Sequence, residues 1–185
     1  GEDAIAYRLA HLDDVRAIAV IEAVGDMAGC CQRIDDVGFG LGYARYKNSA
    51  GYLACIARVV VGDEIKVTDV WSAADVGEAI NPDGTINQIE GGIVQAISWV
   101  LKEEVRFSGG KNLTQSWEDY PILKFSEVPR MQTRLIGPQD ADPLGAGEIS
   151  SGPAGAAVVN AVRNVLRVVP DRLPLSRHAL VALMS

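Results

Sequence analysis

The sequence is poor in the residues that bind metals and nucleic acid. Only three cysteines and two histidines occur in 185 residues, with no C-x-x-C pair, so the chain lacks a zinc or iron–sulfur ligand set. Acidic residues outnumber basic ones by 24 to 17, for a net charge of −7, which argues against nucleic-acid binding. No apolar run approaches the roughly 20 residues of a membrane-spanning helix.

The chain does have enough apolar residues for a folded core. These make up 48% of the sequence, and a chain of this length buries about 70% of its unfolded surface. We interpret Cys30, Cys31 and Cys55 as structural thiols. His11 and His178 lie near opposite ends of the sequence and are interpreted as surface or capping residues. We therefore predict no metal ligands.

Apolar periodicity predicts helices that alternate with groups of strands. The predicted elements are a helix over 12–28 ended by Gly29, a strand over 37–44, a hairpin of strands 52–61 and 65–74, a helix over 86–97, strands near 104–107 and 133–136, and a helix over 153–168, after which Ser176 caps a short one. This order predicts an α+β fold with antiparallel sheet pieces. Trp71, Trp99 and Trp117 have apolar neighbours and are predicted to be buried.

Glycine alternates with larger residues in the first predicted strand. Gly38, Gly40 and Gly42 would share one face of that strand, which is typical of a face that meets another backbone or a ligand. No phosphate-binding loop is predicted, because neither Gly-Lys-Ser/Thr nor a helix start follows these glycines.

One carboxylate, Glu148, lies in a glycine-lined loop just before the last long helix. Gly145 and Gly147 let the backbone approach another object closely, and a carboxylate before a helix start lies in the positive field of the helix dipole. Two interpretations follow from the residues. Glu148 is a base, or the segment is a helix N-terminal signal in which Glu148, Ser150 or Ser151 is a capping residue.

Five short blocks occur in order along the chain. They are residues 70–77 (VWSAADVG), Asn81-Pro82, residues 88–92 (QIEGG), Asp119-Tyr120-Pro121 and residues 145–148 (GAGE). Each block alone is weak, but the five in sequence resemble the C-terminal part of the large subunits of molybdenum hydroxylases, the xanthine dehydrogenase and aldehyde oxidase family. They are most similar to the isoquinoline 1-oxidoreductase beta-subunit type.

The resemblance implies a fold like that of a molybdenum-cofactor-binding domain, with antiparallel or mixed sheets packed against helices. Residues 1–185 would then be the C-terminal part of a molybdopterin-binding large subunit, either as a fragment or as a split subunit. In this family the large subunit carries several hundred further residues on the N-terminal side. The resemblance therefore implies that the chain is inactive alone.

The resemblance also implies roles for single residues. Glu148 matches the family's active-site glutamate, the general base in oxidation of an aldehyde or N-heterocycle with water-derived oxygen. Gln88 matches a glutamine that hydrogen-bonds the pterin of molybdopterin. Gly147 would allow Glu148 to approach the metal site, and Ser150 and Ser151 are lesser candidates for cofactor contact, since capping explains them too. The family often has proline after the glutamate, whereas Ile149 follows here.

The cofactor and partners are expected on the same grounds. The cofactor would be molybdenum–molybdopterin, in its plain or cytosine dinucleotide form, shared with an N-terminal molybdopterin-binding portion or subunit. Iron–sulfur centres would belong to a partner subunit. Two other functions stay open: a non-catalytic assembly module that docks on a partner, and a hydrolase that pairs Glu148 with Asp140 or Asp142.

Overall fold

The structure is a computed structural model that describes residues 3–29, 36–176, 179 and 181. It is a mixed α+β fold, as predicted. Its elements are α1 (Ala4–His11), α2 (Val15–Ala28), β1 (Val37–Arg45), β2 (Tyr52–Val61), β3 (Ile65–Asp75), α3 (Pro82–Leu101), β4 (Phe107–Ser108), β5 (Lys111–Asn112), β6 (Arg130–Leu135) and α4 (Ser151–Leu166), with 3₁₀ turns at Tyr46–Asn48 and Phe125–Glu127.

Four strands form one mixed sheet in the order β1-β2-β3-β6. The neighbours β1 and β2, and β2 and β3, are antiparallel, which confirms the predicted hairpin, while β6 runs parallel to β3. Parallel neighbours need a long crossover connection, and α3 lies within it. The predicted bounds of the strand near 104–107 were wrong. Pairing there starts at Phe107, because Gly109 and Gly110 form a tight positive-φ turn to β5.

The central strand β2 is buried on both faces. Leu53, Cys55 and Ala57 point to the side covered by α3 and α4, whereas Ala54 and Ile56 point to the side covered by α2. This alternation follows from the two-residue period of a strand. The sheet is thus a middle layer with helices on both sides, so β2 has a continuous apolar sequence rather than an alternating one.

The glycine face of β1 lies directly against the backbone of α4, as the sequence predicted. A Cβ added at Gly38, Gly40 or Gly42 would come within 2.2 Å of a main-chain atom of α4. Side chains of that helix also reach β1, because Asn160 Nδ2 donates to the Leu41 carbonyl at 2.9 Å. The three glycines therefore fix the distance between α4 and the sheet.

Two structural features differ from the predictions. Helix α1, capped by Asp3, was not predicted; it is only eight residues long, and none of its residues is buried. Trp99 and Trp117 are 43% and 80% exposed, so their predicted core burial was wrong, whereas Trp71 is partly buried against the α2 side. Apolar neighbours in sequence do not place a side chain on the buried face of its element.

The thiol of Cys55 is buried, which raises its pKa to about 12 and agrees with a structural role. The interpretations of Cys30, Cys31 and His178 lie outside the described residues. His11 ends α1 and its Nδ1 lies 2.7 Å from the Tyr7 carbonyl oxygen.

None of the helices in the described ranges has the length and apolar character of a membrane span.

Candidate functional site

The loop that carries Glu148 runs from β6 to the start of α4, and the turn after β1 holds one side of it. The Gly51 amide donates to the Gly145 carbonyl at 3.1 Å. The Tyr46 hydroxyl donates to Glu148 Oε2 at 2.6 Å. One backbone bond and one side-chain bond therefore fix both ends of the Gly-Ala-Gly-Glu segment against this turn.

Helix α3 holds the other side of the same loop. Gln88 Nε2 donates to the Gly147 carbonyl at 2.8 Å. One turn further along α3, a Cβ at Gly92 would lie 2.2 Å from Ser150 Oγ, so the helix and the loop are in close contact. Three residues that the sequence placed in a cofactor site, Gln88, Gly147 and Glu148, thus lie side by side in space.

This cluster faces the surface of the described chain. Gln88, Gly147 and Glu148 are all exposed, and a Cβ at Gly147 or Gly91 would meet nothing within 4 Å. The bond to Gly147 uses one of the two Gln88 amide hydrogens and leaves the other hydrogen and Oε1 for a second partner. Space, a donor and an acceptor are therefore available beside a carboxylate, a combination that fits a pterin edge.

Ser150 and Ser151 have different environments. Ser150 stands at the N-cap of α4 but makes no capping bond, because its backbone is already helical and the side chain does not reach back to the helix amides. The expected capping role of Ser150 was therefore wrong. Its hydroxyl is buried without a partner among the described residues, against Gly92. Ser151 is half-buried and begins the helix; cofactor contact by either serine stays a prediction.

Tyr46 is the site residue that sequence reasoning missed. It is 102 residues from Glu148 along the chain, and no motif connects the two. Its hydroxyl donates to the Glu148 carboxylate, which raises the pKa of Tyr46, and the Lys47 ammonium lies 5.2 Å from the centre of its ring. The next two residues, Lys47 and Asn48, have left-handed backbone conformations with φ of 51° and 57°.

The segment after β3 supports the start of the loop. Asp75 is buried and accepts hydrogen bonds from Arg16 Nε at 2.6 Å and from the Gly77 amide at 2.9 Å. Burial alone would raise the pKa of Asp75, but these donors outweigh burial and hold it below the ordinary value. The Leu144 amide then donates to the Val76 carbonyl at 2.7 Å. The Asp-Val-Gly block therefore anchors the loop just before its glycines.

Two other candidate sites are not supported by the described contacts. Glu148 hydrogen-bonds Tyr46, and the structure gives no bond from it to Asp140 or Asp142 within residues 36–176. In the same part of the chain, no group of three or more histidine, cysteine or acidic residues is placed to hold a metal ion.

A groove of about 980 Å³ is lined by Ile97 and Leu101, in the last turns of α3 and away from Gln88.

Comparison with known proteins identifies the family. The profile of the molybdopterin cofactor-binding domain matches residues 38–129. A nicotinate dehydrogenase subunit from Pseudomonas putida is 34% identical over all of this chain and 17% of its own length. The beta subunit of isoquinoline 1-oxidoreductase from Brevundimonas diminuta is 33% identical over 95% of this chain and 24% of its own length.

A solved structure agrees with these sequence matches. Quinoline 2-oxidoreductase from Pseudomonas putida 86 superposes with a TM-score of 0.65 and 32% identity, over 72% of this chain and 18% of that one. The chain thus spans about a fifth of the length of these relatives. It belongs to the xanthine dehydrogenase and aldehyde oxidase family of molybdenum hydroxylases, as a molybdopterin cofactor-binding domain.

Proposed function

We propose that this chain supplies the proton acceptor and a pterin-binding amide to the active site of a molybdenum hydroxylase. The observation that carries the proposal is the hydrogen-bonded arrangement of Gln88, Gly147 and Glu148 beside open space. Glu148 is the general base. When bound, the molybdenum cofactor supplies the two-electron redox chemistry of the reaction.

Each residue of the cluster has a distinct task in this proposal. Glu148 accepts on its carboxylate the proton of the water-derived oxygen that attacks the substrate carbon, a role that typically contributes 10²- to 10⁴-fold in rate. Gln88 binds the pterin through its second amide hydrogen and Oε1, while its bond to Gly147 fixes the loop. Gly147 leaves room for the cofactor next to the carboxylate, because no atom occupies the space where a Cβ would be.

The substrate class we favour is an N-heterocycle. The two relatives that match nearly the whole chain are subunits of nicotinate dehydrogenase and isoquinoline 1-oxidoreductase, and the quinoline 2-oxidoreductase structure is 32% identical. An aldehyde is the alternative substrate. A small electron-poor ring could bind in the open space beside Glu148, but most of a substrate pocket would come from the remaining polypeptide.

The proposal requires partners. The chain spans about a fifth of its relatives' length, so an N-terminal molybdopterin-binding portion or subunit would complete the cofactor site, with the cofactor in its plain or its cytosine dinucleotide form. Electrons would leave through an iron–sulfur subunit, because the chain has only three cysteines and no C-x-x-C pair. The isolated chain is then inactive and retains little molybdenum.

A second candidate function is an assembly module with no catalytic residue. Several large apolar side chains favour docking on a partner, since Phe125 is 98% exposed and Trp117 is 80% exposed. Exposed aromatic side chains are enriched where proteins bind one another. Docking is compatible with catalysis as well, so the two functions differ only in whether Glu148 takes part in the reaction.

Substitution of Glu148 in the assembled enzyme distinguishes these functions. The chain would be co-expressed with its N-terminal counterpart and iron–sulfur subunit, and kcat and molybdenum content measured with nicotinate and isoquinoline. Glu148→Gln should keep its molybdenum and lose at least 10²-fold in kcat. Glu90→Gln, on α3 two residues after Gln88, is the matched control and should stay near wild type. Full turnover by Glu148→Gln would leave only the assembly function.

A further inference from the structure

The turn between β1 and β2 is built in an unusual way next to the glutamate loop. Lys47 and Asn48 both have positive φ although neither is glycine, a conformation that is uncommon outside glycine and that clusters at functional sites. The turn is held closed by three backbone bonds: Tyr46 N–H to Gly51 O, Ser49 N–H to Tyr46 O, and Ala50 N–H to Tyr46 O, at 3.0, 3.2 and 2.9 Å. It projects the Tyr46 ring toward the loop.

The Tyr46–Glu148 contact is a strong hydrogen bond by its geometry. At 2.6 Å between Oη and Oε2, it falls in the range of a neutral hydroxyl that donates to an ionised carboxylate. Because Tyr46 engages only Oε2, both lone pairs of Oε1 are open to accept a proton. Gln88 donates to the carbonyl of the residue before Glu148, Gly147. The side chain of Glu148 is therefore held by the turn after β1, and the main chain just before it is held by α3.

We propose that Tyr46 is a positioning residue that holds Oε2 of Glu148 and thereby presents Oε1 as the proton acceptor. The inference rests on the proposed catalytic role of Glu148 and extends it to a residue on a different element. Freed from the phenol, the exposed glutamate side chain would sample other rotamers. Displacement of a reacting group by about 1 Å can cost up to 10²-fold in rate.

The chain contains a matched control for this contact. Tyr120 donates to Glu103 Oε2 at 2.7 Å, and that bond also raises the pKa of Tyr120. Glu103 follows the end of α3 at Leu101, whereas Gln88 lies in its second turn, about 20 Å from that end at 1.5 Å per residue. Tyr120→Phe therefore removes the same kind of tyrosine–glutamate bond far from the site.

The first measurement is kinetic and uses the assembled enzyme. Tyr46→Phe should lower kcat by about 10- to 100-fold with KM and molybdenum content unchanged, whereas Tyr120→Phe should match wild type. Wild-type kcat in Tyr46→Phe, with Glu148→Gln inactive, would overturn the role of Tyr46 and leave Glu148 as the base. Loss of molybdenum from Tyr46→Phe would also overturn it, since the tyrosine would then serve cofactor retention. Full activity in Glu148→Gln would instead refute the proposed function.

The second measurement needs no cofactor. Tyrosine Cζ chemical shifts of the full 185-residue chain, followed by ¹³C NMR across alkaline pH and assigned with Tyr46→Phe, report the ionisation of each phenol. The pKa of Tyr46 should lie above its ordinary value, since donation to Glu148 raises it, and should fall in Glu148→Gln while that of Tyr120 does not move. An unchanged Tyr46 titration in Glu148→Gln would show that the contact is absent and overturn the inference.

Discussion

Substitution of Gly42 by alanine tests whether the close packing of β1 against α4 stabilises the fold. A Cβ at Gly42 would lie 1.9 Å from the Pro153 carbonyl oxygen, in the first turn of α4. An ordinary contact begins near 3.4 Å, so the strand and helix must separate locally by about 1.5 Å. Gly38 and Gly40 make similarly close contacts further along α4, so separation of the helix from the strand would also loosen the packing at these two positions.

The expected cost is steric. Overpacking of this kind typically destabilises the folded state by about 1–3 kcal/mol. Alanine also lowers the conformational entropy of the unfolded chain, which offsets only about 0.4–1 kcal/mol of that loss. We expect Gly42→Ala to lose about 2 kcal/mol of unfolding free energy, measured by urea denaturation followed by circular dichroism. Gly91→Ala, where nothing lies within 4 Å of the added Cβ, should instead be neutral or gain up to about 1 kcal/mol. Equal stability of Gly42→Ala and wild type would refute the packing argument.

Three further predictions concern buried polar groups. The pKa of Asp75 is lowered in the folded state, so the stability that its carboxylate gives the fold is complete above the ordinary pKa of 3.8 and is lost as the pH falls below that value. The unfolding free energy should therefore drop on acidification. An equal drop in Asp75→Asn would contradict this prediction. Burial raises the pKa of Cys55 to about 12, so its thiol should resist iodoacetamide at about pH 8 until the protein unfolds. Peptide mass spectrometry would detect the modification. Modification of Cys55 in the native state would show that the thiol is accessible and contradict the prediction. Gly92→Ala should destabilise the protein, because the new Cβ would lie 2.2 Å from Ser150 Oγ. Adding Ser150→Ala to this variant should restore stability. Strictly additive effects of the two substitutions in a double-mutant cycle would exclude the clash.

Local patterns in the sequence predicted much of the fold. The hairpin of β2 and β3 follows from two β-branched runs around a short polar turn, and Gly29 ends α2 with a positive φ of 66°, as expected of a C-terminal glycine. The glycine alternation in β1 correctly predicted a close backbone contact. Each of these features is encoded by residues near one another in the chain, which is why single-sequence reasoning reached them.

Long-range features were harder to predict. The parallel pairing of β6 with β3 depends on how α3 packs across the sheet, and no local pattern determines that. The exposure of Trp117 depends on which side of an irregular segment faces the core. Sequence reasoning placed Glu148 and Gln88 in one site through family resemblance, but it missed Tyr46, because a contact across 102 residues leaves no periodic signal.

The most direct test of the account is a single-turnover measurement on the assembled enzyme. Wild type and Glu148→Gln, matched for molybdenum content, would be mixed with an N-heterocyclic substrate, and the rate of enzyme reduction followed by absorbance. This rate isolates substrate oxidation from product release and from electron transfer to the final acceptor. The account predicts a reduction rate at least 10²-fold slower in Glu148→Gln; an equal rate in the two enzymes would contradict it.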